Sequence, residues 1–318
     1  MSKHFIKEIE IKNFKCFKNF KAEGFSRVNL IGGKNNVGKT AFMEASYISS
    51  GSYSIKEFIG YMISIKYMRE NLNILSDNTL FNFKKFVELF NHIDITSNIN
   101  NCSFTIEEKD GIKEYLFSFN KQKIRVNTND FSFDTELKDN NDFIDNFGLS
   151  NNEIITAYGY IQKKDNETYL NNILRKFDKD IEAFKIINDK PQCKINDNYI
   201  EITELGDSIR HIVSITSRLY CTENGNLYID EIDNGIHYTM LDELWEIILK
   251  VSQELNVQVF ATTHSKECIE SYARVAKKLE DKEIRFLSLY KNKENELKSI
   301  TFDYEKIQER IELGLDNR

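Results

Sequence analysis

Residues 33–40 read Gly33-Lys34-Asn35-Asn36-Val37-Gly38-Lys39-Thr40, which fits the spacing G-x-x-x-x-G-K-[ST]. Each residue type there suits the binding of a chain of phosphates. The glycines let the backbone curl so that successive N–H groups face an anion. Lys39 reaches the outer phosphates as a point charge, and Thr40 offers a hydroxyl to Mg²⁺. A second stretch, Leu227-Tyr228-Ile229-Asp230-Glu231, is an apolar run that ends in an acidic pair. Asp230 at the end of such a strand would hold Mg²⁺, directly or through water. Glu231 would polarise the attacking water as general base. A third stretch, Val257-Gln258-Val259-Phe260-Ala261, runs into Thr262-Thr263-His264-Ser265. A histidine just beyond a core strand can reach a terminal phosphate and sense its presence. Taken singly, the three could be a glycine-rich turn, an exposed acidic turn and a structural histidine. Their order along one chain favours triphosphate chemistry.

Specific elements must position these residues. Arg27 to Ile31 is short and apolar enough for a buried strand, and Ala41 to Ala45 holds helix formers without a breaker. Strand, glycine loop and helix is the order that turns a helix N-terminus towards phosphate. Residues 5–14 alternate Ile9 and Ile11 with Glu8, Glu10 and Lys12, a half-buried strand. Residues 54–92 carry apolar residues at spacings of three and four and read as helical. Residues 101–126 switch to period two around Lys109-Asp110-Gly111, a hairpin signal. Its aromatic run at 115–119 suits a core better than a base-stacking surface. Residues 127–153, rich in Asn and Asp, read as loop or short helical connections, and Ile154 to Ala157 as a strand. A helix is expected from about 168, then a hairpin-like stretch to Ile202, and helices on Ile209, Ile212, Val213, Thr216 and Leu219 and on Leu241, Leu244, Trp245, Ile248 and Val251. This alternation predicts an α/β fold around a mostly parallel sheet, with an antiparallel β patch and a helical insertion.

The chain has 318 residues, 41% hydrophobic and 29% charged, with a net charge of −7. That is a globular composition, and it argues against a globally basic nucleic-acid binder. No apolar run approaches the ~18 residues of a membrane helix, and the start lacks the apolar segment of a secretion signal. A cytoplasmic protein with no membrane partner is expected. The five cysteines are scattered without a C-x-x-C pair, as free thiols would be. His4, His92 and His211 have no companions at metal-ligand spacing and are read as structural. The lysines at Lys12 to Lys15 and Lys18 to Lys21 are open to two readings, a solvated edge or contacts with a nucleic-acid backbone.

Together the three motifs resemble the ABC-type ATPases that are not transporters, the group that includes RecF, SMC and overcoming-lysogenization-defect (OLD) proteins. Within it the chain is similar to the small stand-alone bacterial AAA family ATPases of OLD-like type. The likeness is carried by Phe14-Lys15-Cys16-Phe17, by Asp230-Glu231-Ile232-Asp233-Asn234-Gly235-Ile236-His237 and by residues 258–265. It implies a single P-loop NTPase domain of ABC-ATPase type. The core would be discontinuous, 1–50 and 151–318, around a helical and β-hairpin insertion at 51–150. It implies ATP and Mg²⁺, and a homodimer or higher homo-oligomer closed through ATP. The segment Leu205-Gly206-Asp207-Ser208-Ile209-Arg210 would supply Gly206, Ser208 and Arg210 to the γ-phosphate held by the other subunit. The wider class has Leu-Ser-x-Gly there, so Ser and Gly are interchanged, and Asp207 or Ser208 could instead only cap the helix. Gln162 would link Mg²⁺ to a moving lobe, or be a surface glutamine. Asp233 and Asn234 would lie at the dimer interface, and His237 would pack or cap the next helix.

The function so implied is an ATP-hydrolysing switch that controls a separate effector protein in a bacterial defence or toxin-type module. OLD enzymes add a C-terminal nuclease domain, for which residues 265–318 are too few. A RecF-like DNA clamp and a non-hydrolysing scaffold are the alternatives.

Overall fold

A computed structural model describes residues 5–51, 61, 65, 140–146 and 148–314, together with the backbone of strands at 101–108, 111–120 and 123–128. The strand ahead of the glycine loop is β3, Val28–Gly33, and every residue in it is buried. It pairs in parallel with β12, Gln258–Thr262, on one side and with β13, Ile284–Lys291, on the other. Beyond β12 lie β11, Asn226–Ile229, and β7, Asn141–Ile144, also parallel. β14, Leu297–Phe302, closes the opposite edge antiparallel to β13. The order β14-β13-β3-β12-β11-β7 is the mostly parallel α/β core expected.

Strands buried on both faces need apolar residues at successive positions. Here alternate residues serve two cores. Leu227 and Ile229 of β11, Val259 and Ala261 of β12 and Leu30 of β3 face one core. Tyr228, Phe260 and Ile31 face the other. The Tyr228 and Phe260 rings stack at 5.3 Å, because β11 and β12 place them opposite each other. Truncating either ring to alanine would cost about 3–5 kcal/mol.

The first core lies under α4, Asp207–Cys221, α5, Leu241–Glu254, and α6, Lys266–Lys278. The second lies under α1, Lys39–Gly51, and the hairpin of β1, Glu8–Phe14, with β2, Phe17–Glu23. The backbone strands β4, Asn101–Glu108, β5, Gly111–Asn120, and β6, Lys123–Thr128, extend that hairpin into an antiparallel sheet of order β2-β1-β4-β5-β6. The foreseen hairpin is therefore β4–β5, with Glu108 opposite Gly111. Its turn residues 109 and 110, its aromatic side chains and most of the helical stretch foreseen at 54–92 lie outside the described residues. The hairpin-like stretch to Ile202 is a sheet of β8, Ile181–Ile187, β9, Lys190–Ile195, and β10, Asn198–Glu201. It follows the expected helix, α3, Glu167–Phe177. A last helix, α7, Tyr304–Glu312, packs on β13 and α6.

Two expectations are corrected. Ile154 to Ala157 is not a strand but part of α2, Asn151–Lys163. The signal was Ser150 followed three residues later by Glu153. Ser150 accepts from the Glu153 N–H while the Glu153 carboxylate takes the Ser150 N–H, a reciprocal cap that starts a helix. The core also resumes before residue 151. β7 lies inside the stretch foreseen as loop, because only Phe143 and Ile144 mark it within a polar run.

One buried side chain fixes the N-terminal hairpin to the parallel sheet. The Gln258 amide receives the Ile6 N–H at 2.7 Å and donates to the carbonyls of Ile6 and Ser26, each at 2.9 Å. Among the described residues no helix is long and apolar enough to cross a membrane.

Candidate active site

β3, β11 and β12 run parallel, so their carboxyl ends share one edge of the sheet. Gly33, Asp230 and Thr262 therefore come together from residues far apart in sequence.

The glycine loop opens where β3 ends. Gly33 has φ 144°, and a Cβ there would sit 2.5 Å from the Leu289 carbonyl oxygen. Gly38 has φ 98°, and a Cβ would meet Cys16 Sγ at 2.7 Å. Both positions thus demand glycine on backbone conformation and on space. Lys34, Asn35 and Asn36 are exposed at the loop tip, while Val37 is buried and anchors it. Asn36 takes the left-handed conformation, φ 58°, that asparagine tolerates.

α1 starts at Lys39. Its ammonium donates to the Gly33 carbonyl at 2.8 Å and the Lys34 carbonyl at 3.1 Å, and lies 3.1 Å from His264 Nδ1. Burial pulls its pKa down to about 8, against the opposing pull of Asp230 and Glu231. An incoming polyphosphate would supply the negative charge that this half-desolvated cation lacks.

Thr40 donates to Asp230 Oδ2 at 3.0 Å. Asp230 is buried, and its other oxygen receives the Thr262 hydroxyl at 2.7 Å. The same Thr262 oxygen accepts the Glu231 N–H at 2.8 Å. Glu231 itself has φ 52°, a left-handed conformation that a non-glycine residue holds only when its surroundings impose it. Its carboxylate lies 3.6 Å from His264 Nε2. One residue on, Thr263 donates to Asp233 Oδ1 at 2.7 Å and accepts the Ser265 N–H at 3.0 Å. Burial raises the Asp233 pKa, and the Thr263 bond opposes that. Hydroxyl and carboxylate oxygens are hard donors, and Thr40 with Asp230 fits the protein's share of a Mg²⁺ shell completed by phosphate and water.

The structure thus brings together Lys39, Thr40, Asp230, Glu231 and His264. Other expected site residues fall elsewhere. Gln162 is exposed in the last turn of α2, on a helix packed against α4 and β9. It does not follow a strand, because the strand expected before it is a helix. The sheet-edge position beside Asp230 belongs to β7, whose Ile144 pairs with Ile229 and whose next residue is Asp145. The Asp230 N–H donates to the Ile144 carbonyl at 2.8 Å. Asp145 was hidden in an Asn- and Asp-rich run with nothing in the pattern to single it out.

Gly206, with φ 91°, is the residue before α4, and no side chain caps the helix. Asp207 and Ser208 lie within its first turn and are not caps. A Cβ on Gly235, φ 71°, would lie 3.2 Å from Asp207 Cβ and 3.5 Å from the Ser208 N, so the 230–237 loop rests on the helix start. Arg210 points back to the Leu149 carbonyl at 2.5 Å and to Asn151 Oδ1 at 2.6 Å. His237 bonds Thr239 at 2.9 Å and packs on the Tyr238 ring at the start of the 3-10 turn Tyr238–Met240. The roles of Thr262 and Thr263 were not legible either. Both stand in a recognised motif, but their partners Asp230 and Asp233 come from another strand.

Residues 97–270 match the family described as "AAA domain, putative AbiEii toxin, Type IV TA system". A Helicobacter pylori (strain ATCC 700392 / 26695) protein named ATP/GTP phosphatase is 24% identical over 327 residues, covering 83% of this chain and 86% of its own length. Among solved structures, an SMC head bound to the C-terminal winged-helix domain of ScpA has a TM-score of 0.59 at 14% identity, over 96% of this chain and 99% of that one. An Smc head with an extended coiled coil, bound to the C-terminal domain of ScpA from Pyrococcus furiosus, has a TM-score of 0.58 at 11% identity, over 97% and 99%. The fold is that of the ABC-type P-loop ATPases.

Proposed function

Because this chain belongs to the AAA domain family and is an ATPase, we propose that it works as an ATP-driven switch, dimerising around ATP and releasing on hydrolysis to control a separate effector protein. The observation that carries this reading is the convergence of Lys39, Thr40, Asp230, Glu231 and His264 at one sheet edge. Lys39 exchanges its bonds to the loop carbonyls for the β- and γ-phosphates. Thr40 and Asp230 would hold Mg²⁺, which would supply positive charge against those phosphates. Asp145, the residue after β7 and beside Asp230 at the sheet edge, would take the place foreseen for Gln162. Glu231 accepts the proton of the attacking water, and His264, between Lys39 and Glu231, registers the γ-phosphate.

Glu231 and His264 are both part-exposed, so one subunit leaves its own site open on the side that a second would cover. Gly206 and Ser208, at a helix start with no side-chain cap, are the groups that would do so. The family's description, which names a toxin and a type IV TA system, supports a toxin or defence module. The SMC heads, solved with ScpA bound, support a fold that engages separate proteins. A DNA clamp is the weaker reading. Lys12, Lys15 and Lys21 each pair with a carboxylate, of Glu10, Glu44 and Glu8 respectively, and these pairs compensate much of the strip's positive charge.

The test is Glu231→Gln. Turnover should fall about 10²–10⁴-fold while ATP still binds, and light scattering should show an ATP-dependent dimer. Wild-type turnover in that variant would remove Glu231 as base, and a strict monomer with ATP bound would remove the clamp. Turnover that rises on adding DNA would favour the DNA reading.

A further inference from the structure

His211 lies on the buried face of α4, three residues beyond Ser208, and is 3% exposed. Its Nε2 is 3.1 Å from the Ile232 carbonyl oxygen. A carbonyl only accepts, so Nε2 carries the proton and donates. Burial holds the imidazole neutral, with its pKa down at about 4. Ile232, the residue that follows Glu231, is therefore held at both ends. The Ile232 N–H goes to the Thr262 carbonyl at 2.9 Å, and the Ile232 carbonyl goes to His211. Both bonds matter for Glu231 because its backbone is in the left-handed region, φ 52°, which relaxes unless its neighbours pin it. Two further contacts tie the same loop to α4 and to the turn before α2. Gly235 rests on Asp207 and Ser208, and Asn234 donates to the Asn146 carbonyl at 2.5 Å.

We propose that His211 is a positioning residue for Glu231, the link through which the start of α4 and the acidic loop 230–237 move as one body. Bond donation to Ile232 sets where the Glu231 carboxylate stands beside His264. Any load on the first turn of α4 reaches the water-activating group of the same subunit through this single imidazole and the Gly235 contact. This rests on the reading of Glu231 as the base.

The test compares His211→Gln, which keeps an N–H donor near the Nε2 position, with His211→Leu, which fills the space without one. ATP turnover, KM and equilibrium binding of a non-hydrolysable ATP analogue are measured on the full chain. His211→Leu should lower kcat at least tenfold, since an ångström of misplacement costs about 10²-fold, with KM and analogue binding within twofold. His211→Gln should restore kcat to within about threefold of wild type. Gly235→Ala, on an exposed loop, strains a left-handed residue and crowds Asp207, so it should also lower kcat alone, which tests the link even if His211→Leu misfolds. Equal kcat in wild type, His211→Leu and Gly235→Ala overturns the proposal. So does a loss in analogue binding that matches the loss in kcat, because that marks a structural role. If wild type and Glu231→Gln turn over alike, it is the reading of Glu231 that fails.

Discussion

Replacing Thr262 by valine removes one hydroxyl and keeps the shape of the side chain. That hydroxyl is fully buried, donates to Asp230 Oδ1 at 2.7 Å and accepts the Glu231 N–H at 2.8 Å. A hydrogen bond to a charged group contributes about 1.5–3 kcal/mol net, and an abandoned buried N–H costs about 1–3 kcal/mol. Both effects arise from one atom, so Thr262→Val should lower unfolding free energy by about 2.5–6 kcal/mol. Thr262→Ser keeps the hydroxyl and loses only a methyl group, so it should cost about 1 kcal/mol. Urea unfolding followed by circular dichroism measures both. Valine should shift the midpoint well below serine, with the slope unchanged. The consequence for binding has the same origin. Asp230 Oδ1 loses its shorter bond, so the carboxylate beside Thr40 is held less firmly and Mg²⁺-dependent ATP binding should weaken as well. A Thr262→Val protein within about 0.5 kcal/mol of wild type, binding Mg²⁺-ATP normally, would refute the claim that this hydroxyl joins β12 to the acidic pair.

Two pH effects follow. Lys39 has lost about half its charge by pH 8 because burial disfavours the ammonium. ATP needs the charged form, so affinity for a non-hydrolysable analogue should be nearly level up to pH 7 and about tenfold weaker by pH 9; a flat profile would show that Lys39 stays charged or does not bind phosphate. His211 has a folded pKa depressed to about 4, against 6.5 unfolded. Its contribution is complete above the unfolded value and is lost as pH falls from there towards 4, since the unfolded chain then binds the extra proton. Stability should therefore drop by about 2 kcal/mol between pH 7.5 and 5 from this group alone. Urea unfolding of His211→Gln at both pH values should lack that part of the loss.

The five residues of the site were legible in the chain because their chemistry demands fixed types at short range. A glycine loop needs positive φ and close backbone approach at Gly33 and Gly38. An acidic pair must follow an apolar strand, and a histidine must follow another. Sequence order also determined the α/β class, since strands that alternate with amphipathic helices fold into a mostly parallel sheet. Tertiary structure alone decided which strands lie side by side. That order brings Thr262 under Asp230, makes β7 rather than the stretch at Ile154 the neighbour of β11, and so puts Asp145 at the edge where Gln162 was expected. It also decided that His211, one of several histidines without a motif, bonds the carbonyl of Ile232, the residue after Glu231. Motifs record what a residue must be for its own loop to form. Contacts between loops depend on strand order and helix packing, which local spacing along a chain does not encode.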